Sequence, residues 1–278
     1  MTAKIASTTS GNIEYTLKGS GPTILMMHGQ SQDCNADDGY DAFISAGFSM
    51  LTPSRPGYGK TPASVGDSAE KAADAMVNFL NYLKLDKVDV IAISGGGPTA
   101  IFLAANHPEK VRKLVLISAL SKPWQNKERY ETVKKFYSSK SFPIMWSMLR
   151  VSSLIFPKST ARRAFLLFST HDPDDFMKHV SKQEIKTLLR LFKNPAYAEG
   201  SLIDLKSQPE VPVLNKIMAP TLVAHSKEDR SVDFENAEYS AENIKSSELF
   251  VSPTWSHFPW FGPHSKEELD KVISFLKS

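Results

Sequence analysis

Three residues of types that can act together end three similar stretches of this chain. In VIAISGGGPTAIF (90–102) an apolar run stops at Ser94 and three glycines follow. TLVAHSKEDRS (221–231) passes from an apolar run into a polar loop holding Asp229, and LFVSPTWSHFPWFG (249–262) does the same with His257. A serine hydroxyl is a poor nucleophile until a base takes its proton, and a carboxylate must hold that base in the right tautomer. Ser94, His257 and Asp229 can fill those roles if the fold brings them together. Two plainer readings compete for the serine: an ordinary turn, or a phosphate loop. No lysine follows the glycines, so the Walker pattern is absent, and G-G-G-P lacks the spacing of a dinucleotide loop. Ala92 and the glycines at 95–97 are expected to give the backbone room to bend and close-pack around Ser94.

Positioning such residues is the work of strands. TILMMHG (23–29) and the runs at 48–54, 88–94, 114–118, 221–226 and 248–253 are short and nearly continuously apolar. They read as strands covered on both faces, as in a parallel sheet. IEYTLK (13–18) alternates and suits a half-buried strand. Helical spacing appears at 68–85, with Ala72, Met76, Phe79, Leu80 and Leu83 on one stripe and Asp67 as the expected cap, three residues before Glu70. It returns at 97–106 and 265–277. Strand–helix alternation predicts a doubly wound, mostly parallel α/β sheet, whose ligands sit beyond the carboxyl ends of the strands. His28-Gly29-Gln30, Ser94, the loop after His225 and the loop after Ser252 all fall there. The alternation breaks over 121–212, which reads as helices near 127–138, 143–155, 159–169 and 174–193. The expected organisation is a core of 1–120 and 213–278 with a helical cap, 121–212, inserted between two strands.

A chain of 278 residues can hold one large domain with such an insertion. Its net charge of +3 is too small to imply a nucleic-acid partner. The charge is unevenly spread: residues 121–212 carry 16 Lys and Arg against 9 Asp and Glu, and the rest 17 against 21. That excess could favour anionic substrates or an anionic lipid surface, and a solvated face is the plainer reading. No run reaches the ~18 apolar residues of a membrane span, and the N-terminal residues hold no apolar stretch of signal-peptide type. With the single Cys34, these features lead us to expect a cytoplasmic protein without stable membrane insertion.

Taken in order, HG at 28–29, SRPGYGKTP (54–62), the serine turn, NHPEKVRKLVLIS (106–118), the acid loop and W-S-H-F (255–258) resemble the α/β-hydrolase superfamily along nearly the whole chain, in its serine-nucleophile branch with a helical cap (esterase/lipase-like). The resemblance implies Ser94 as nucleophile, His257 as base, Asp229 as orienting acid, and an oxyanion hole from the N–H groups of Gly95 and Gln30. The chain order Ser, Asp, His is the one this fold uses. Two departures, Ala92 and Ser226 where glycine is common, remove no reacting group. Dehalogenases and epoxide hydrolases of the fold use an aspartate nucleophile, and proline-type aminopeptidases carry tryptophan after the serine; Ser94 and Gly95 set both aside.

The remaining candidates have plainer roles. His28 is expected to orient the loop carrying Gln30, His225 to be a satisfied buried group, and His107 to cap the end of the helix that follows the serine turn. His171, His179 and His264 are read as surface residues. Glu228 and Asp233 compete with Asp229 as the acid. Asp33, Asp37, Asp38 and Asp41 read as a solvated loop and helix start, and Cys34 has no assigned role. No Cys/His spacing suggests a metal site, and no cofactor is expected. Among the apolar residues of the insertion, Trp146, Met148 and Phe168 are candidates for a substrate pocket. The expected activity is hydrolysis of a small, largely apolar carboxylic ester through an acyl-enzyme. Alternatives on the same triad are a lactone, an amide or a C–C bond, or a slow-turnover small-molecule receptor.

Overall fold

The computed structural model describes residues 2–36, 39–206 and 208–278. Eight strands form one sheet in the order β1-β2-β4-β3-β5-β6-β7-β8. They are β1 (Lys4–Thr8), β2 (Gly11–Gly19), β3 (Thr23–Met27), β4 (Ser49–Pro53), β5 (Val88–Ile93), β6 (Val111–Ile117), β7 (Thr221–Ser226) and β8 (Ser247–Ser252). From β4 to β8 every pairing is parallel; β2 runs antiparallel to both β1 and β4. Side chains alternate across the pleat. Leu25, Met27, Val90, Ala92, Leu114 and Leu116 therefore face one core, while Ile24, Met26, Ile91, Ile93, Val115 and Ile117 face the other. Two buried faces explain why these strands lack the apolar–polar alternation of a half-exposed sheet.

The first core is closed by α2 (Ala69–Tyr82), α3 (Gly97–Asn106), α10 (Val211–Leu214) and α11 (Glu235–Asn243), and the second by α1 (Tyr40–Ser45) and α12 (Ser265–Lys277). Between β6 and β7 lie α4 (Lys127–Ser138), α5 (Phe142–Ile155), α6 (Pro157–Phe168), α7 (Pro173–His179), α8 (Lys182–Arg190) and α9 (Ala198–Lys206). A third apolar cluster, including Phe165, Phe176, Leu188 and Phe192, fills this region and takes in Phe258 and Phe261 from the segment after β8.

Several local readings change. β1 has no sequence signal, because only Ala6 of its five residues is buried. β8 is an edge strand with Leu249 and Val251 exposed, not a strand covered on both faces. The α2 cap is Ser68, whose side chain accepts from the Lys71 amide, while Asp67 pairs with Lys71 at 2.8 Å. The single helix expected over 174–193 is two, because Ser181 and Glu184 form a capping box that starts α8 afresh.

A buried ion pair ties α9 to the sheet. Arg55, in the loop after β4, makes a two-pronged contact with Asp204, with Nη2 donating to Oδ2 at 2.9 Å, and Tyr58 donates to the same oxygen at 2.7 Å. The loop reaches α9 closely enough that a Cβ on Gly57 would lie 2.5 Å from the Gly200 nitrogen. Both charged side chains are 2% exposed. Truncating one partner strands the other charge in a dry site, which costs about 3–5 kcal/mol. Asp204→Ala is expected to lose that much stability in urea titration, whereas an exposed pair such as Lys71–Asp67 should change it by less than about 1 kcal/mol.

Candidate active site

β5 ends at Ile93, and Ser94 follows at φ +52°, a left-handed conformation that costs a non-glycine residue about 1–2 kcal/mol. The bend is therefore made by the serine. None of the three following glycines has positive φ; they supply clearance instead. A Cβ on Gly95 would lie 2.6 Å from Asp204 Oδ2, on Gly96 2.3 Å from the Met27 carbonyl oxygen, and on Gly97 2.2 Å from that of Leu120. Strand and helix could not approach so closely with any side chain there.

Asp229 follows β7, and His257 lies between β8 and α12. His257 Nδ1 donates to Asp229 Oδ2 at 2.7 Å. His225 Nε2 lies 3.0 Å from the same oxygen and equally close to the Val232 carbonyl. The other oxygen, Oδ1, accepts from the Ser231 and Val232 amides at 2.8 and 2.9 Å. Burial opposes charge on Asp229, but His257 and the hydrogen bonds from His225 and His257 outweigh it and hold the carboxyl well below the usual carboxylate range. Sequence reading placed His225 in the interior without pairing it to Asp229. Its position four residues before the acid, at a strand end, was the available signal.

Backbone contacts join these loops to the end of α6. His257 N–H donates to the Phe168 carbonyl at 2.9 Å, Thr170 N–H to the Glu228 carbonyl at 2.9 Å, and the Phe168 ring lies roughly parallel to the His257 ring at 6.0 Å. Ser94 and His257 open on one cavity of about 270 Å³. Gln30, Trp146, Phe168, Phe192 and Phe258 are among its walls. No hydrogen bond joins the Ser94 hydroxyl to His257 among the described residues; such bonds often tighten only with substrate bound. Gln30 and Gly95 are adjacent: Gln30 Cγ would lie 2.8 Å from a Cβ on Gly95. Gln30 Oε1 accepts from Tyr137 at 3.2 Å, and its buried Nε2 has no partner among the described residues.

Comparison with known proteins follows the geometry. Residues 22–262 match the alpha/beta hydrolase fold family. An uncharacterized hydrolase of Bacillus subtilis (strain 168), YcgS, is 32% identical over 272 residues, covering 96% of each chain. This chain belongs to the α/β-hydrolase family. It is also similar to a 2-hydroxy-6-oxo-6-phenylhexa-2,4-dienoate hydrolase of Burkholderia cepacia, at 23% identity over 86% of this chain and 82% of that one. A thermophilic esterase from Thermogutta terrifontis shares the fold, with TM-score 0.75, 20% identity and coverage of 100% and 98%.

Within this α/β hydrolase the other candidates fall as follows. His28 is wholly buried, and burial followed by the Arg55 charge holds it well below its usual pKa, so it is neutral. Its Nδ1 donates to the Gly29 carbonyl and its Nε2 accepts from the Arg55 amide at 3.1 Å, which braces the Gln30 loop. His107 ends α3 and meets Asp74 at 2.7 Å. His171 and His179 pack against Trp255, and His264 is exposed. Glu228 bonds to Thr170 and Asp233 to Arg129, so neither acid is turned to His257. Asp33 is not solvated: it is buried and accepts from Tyr197 at 2.7 Å. Asp41 is exposed in the first turn of α1; Asp37 and Asp38 lie outside the described residues. Cys34 is buried, and burial pushes its thiol up to about 12, out of nucleophilic range. Met148 does not reach the cavity. Helical periodicity turns it 67% exposed to the opposite face of α5, and Met145 and Leu149 take the inner positions.

The segment carrying His257 is held from below by Glu268 of α12, which accepts from Ser252 and Thr254 while its other oxygen has no partner among the described residues. Burial pushes this carboxyl up to about 7, against 4.5 ordinarily. Below pH 4.5 it is protonated in both states. As pH rises through that window the unfolded chain releases its proton first, and the fold loses about 3 kcal/mol in full. Urea denaturation of Glu268→Gln is expected to show this loss removed, the variant gaining on the parent steadily between pH 4.5 and 7.

Proposed function

We propose that this α/β hydrolase cleaves a small, largely apolar carboxylic ester through an acyl-enzyme. The observation that carries the reading is the 2.7 Å bond from His257 Nδ1 to an anionic, buried Asp229, with His257 and Ser94 on one mostly apolar cavity. Asp229 holds the imidazole with its proton on Nδ1, which leaves Nε2 free as the base. Ser94 Oγ gives its proton to Nε2 and attacks the ester carbonyl. The tetrahedral oxyanion is received by the Gln30 and Gly95 amides, each contributing about 3–4 kcal/mol to the transition state. The imidazolium returns the proton to the departing alcohol. Water, activated by the same nitrogen, then releases the acid and restores Ser94.

In this reading α4 to α9 act as the cap, since Tyr137, Trp146, Leu149, Phe168 and Phe192 wall the cavity from the insertion. Their apolar surface suits an acyl or alcohol part and excludes water from the intermediate. The similarity to the Burkholderia cepacia dienoate hydrolase supports a second reading, hydrolysis of a C–C bond next to a carbonyl on the same residues.

p-Nitrophenyl esters from acetate to palmitate, assayed beside a 2-hydroxy-6-oxo-dienoate, distinguish these readings. The parent is expected to turn over repeatedly, with an optimum at short to medium chains set by the cavity. Ser94→Ala is expected to retain its fold and lose turnover, and Asp229→Asn to lower kcat about 10⁴-fold through the wrong tautomer. Ester turnover undiminished in Ser94→Ala overturns the mechanism. Turnover confined to a dienoate ring-cleavage product transfers the proposal to C–C hydrolysis.

A further inference from the structure

The outer face of α5 is unlike the rest of the surface. Ile144, Met148, Val151 and Ile155, spaced by three or four residues, are between 52 and 67% exposed, and Phe156 and Leu167 extend the patch at 62% each. Spacing of this kind makes one continuous apolar stripe on a helix, here turned to solvent. An apolar patch of this extent on a soluble protein marks an interaction surface.

Charge identifies what it meets. Residues 132–171 contain seven Lys and Arg and no Asp or Glu. Lys134 is paired with Glu131 and Arg162 with Asp174. Lys140, Arg150, Lys158 and Arg163 are exposed without an acidic partner among the described residues and flank the stripe: Lys140 precedes α5, Arg150 lies within it, Lys158 follows Phe156, and Arg163 stands one turn before Leu167 on α6. A second copy set face to face would bring these unpaired cations together. An anionic lipid surface instead neutralises them while its acyl boundary receives the apolar side chains.

We propose that α5 and the exposed side of α6 form a peripheral docking surface for anionic membranes, lying in the headgroup layer without spanning it. Among the described residues no helix is long and apolar enough to cross a membrane. Leu167 belongs both to this patch and to the wall of the Ser94 cavity, so docking would set the cavity beside the lipid. The proposal stands on surface chemistry alone and does not depend on which bond the enzyme cleaves.

Co-sedimentation of the intact protein with phosphatidylglycerol–phosphatidylcholine vesicles tests it, with pure phosphatidylcholine vesicles as the comparison. Binding is expected only with the anionic lipid and is expected to fall with added salt. Arg150→Ser should weaken it about fivefold, and Met148→Asp with Ile155→Asp should abolish it. These positions are exposed, so unchanged thermal unfolding and circular dichroism confirm that both variants fold. Absent binding, or equal binding to neutral vesicles, overturns the proposal. So does a dimer in light scattering that becomes a monomer on Met148→Asp, which would assign the stripe to a second copy.

Discussion

Much of the site is organised around one buried anion. Removing a carboxylate from water is expensive, and it stays charged in the interior only when enough donors surround it. Asp229 draws donors from β7 through His225, from its own loop through the Ser231 and Val232 amides, and from beyond β8 through His257. Three of the four lie within residues 225–232, and His257 alone comes from a separate segment. The full set of donors therefore assembles only when the histidine loop beyond β8 is in place beside β7. The end of α6 adds a further constraint, because Phe168 and Thr170 share backbone hydrogen bonds with the histidine and acid loops.

The serine side of the cavity rests on a different principle, steric closeness. Ser94 keeps an unfavourable backbone conformation because β5 and α3 are locked between their neighbours, with the Met27 and Leu120 carbonyls standing where a Cβ on Gly96 or Gly97 would have to go. Strain of this size persists only where surrounding packing over-determines it. The Asp204 carboxylate touches the same turn, and it is held by Arg55 and Tyr58 from the loop after β4. One buried ion pair thus links α9, the sheet and the serine turn.

The insertion has two characters on one helix. The inner face of α5 gives Met145, Trp146 and Leu149 to the cavity, and its outer face leaves Ile144, Met148 and Val151 in water. A helix apolar all round is normally buried on all sides. Here one side is occupied by the protein's own cavity and the other faces outward among unpaired cations.

Most of the sheet was legible from sequence because a strand buried on both faces must be continuously apolar, and this holds from 23–27 through 221–226. β1, carrying one buried residue, left no such pattern. Ser94, Asp229 and His257 were legible as residue types at strand ends, since only a few side chains can serve as nucleophile, acid and base. Helical regions in the insertion were legible too, but not which face of α5 meets the cavity, because both faces are apolar and periodicity alone cannot orient them. Trp146 and Phe168 fell inside and Met148 outside for that reason. Composition and local spacing determined most elements and the candidate site residues. Tertiary structure alone decided that His257 meets the Asp229 oxygen and that Asp204 reaches Arg55 across 149 positions, because such pairings depend on where separate segments come to rest.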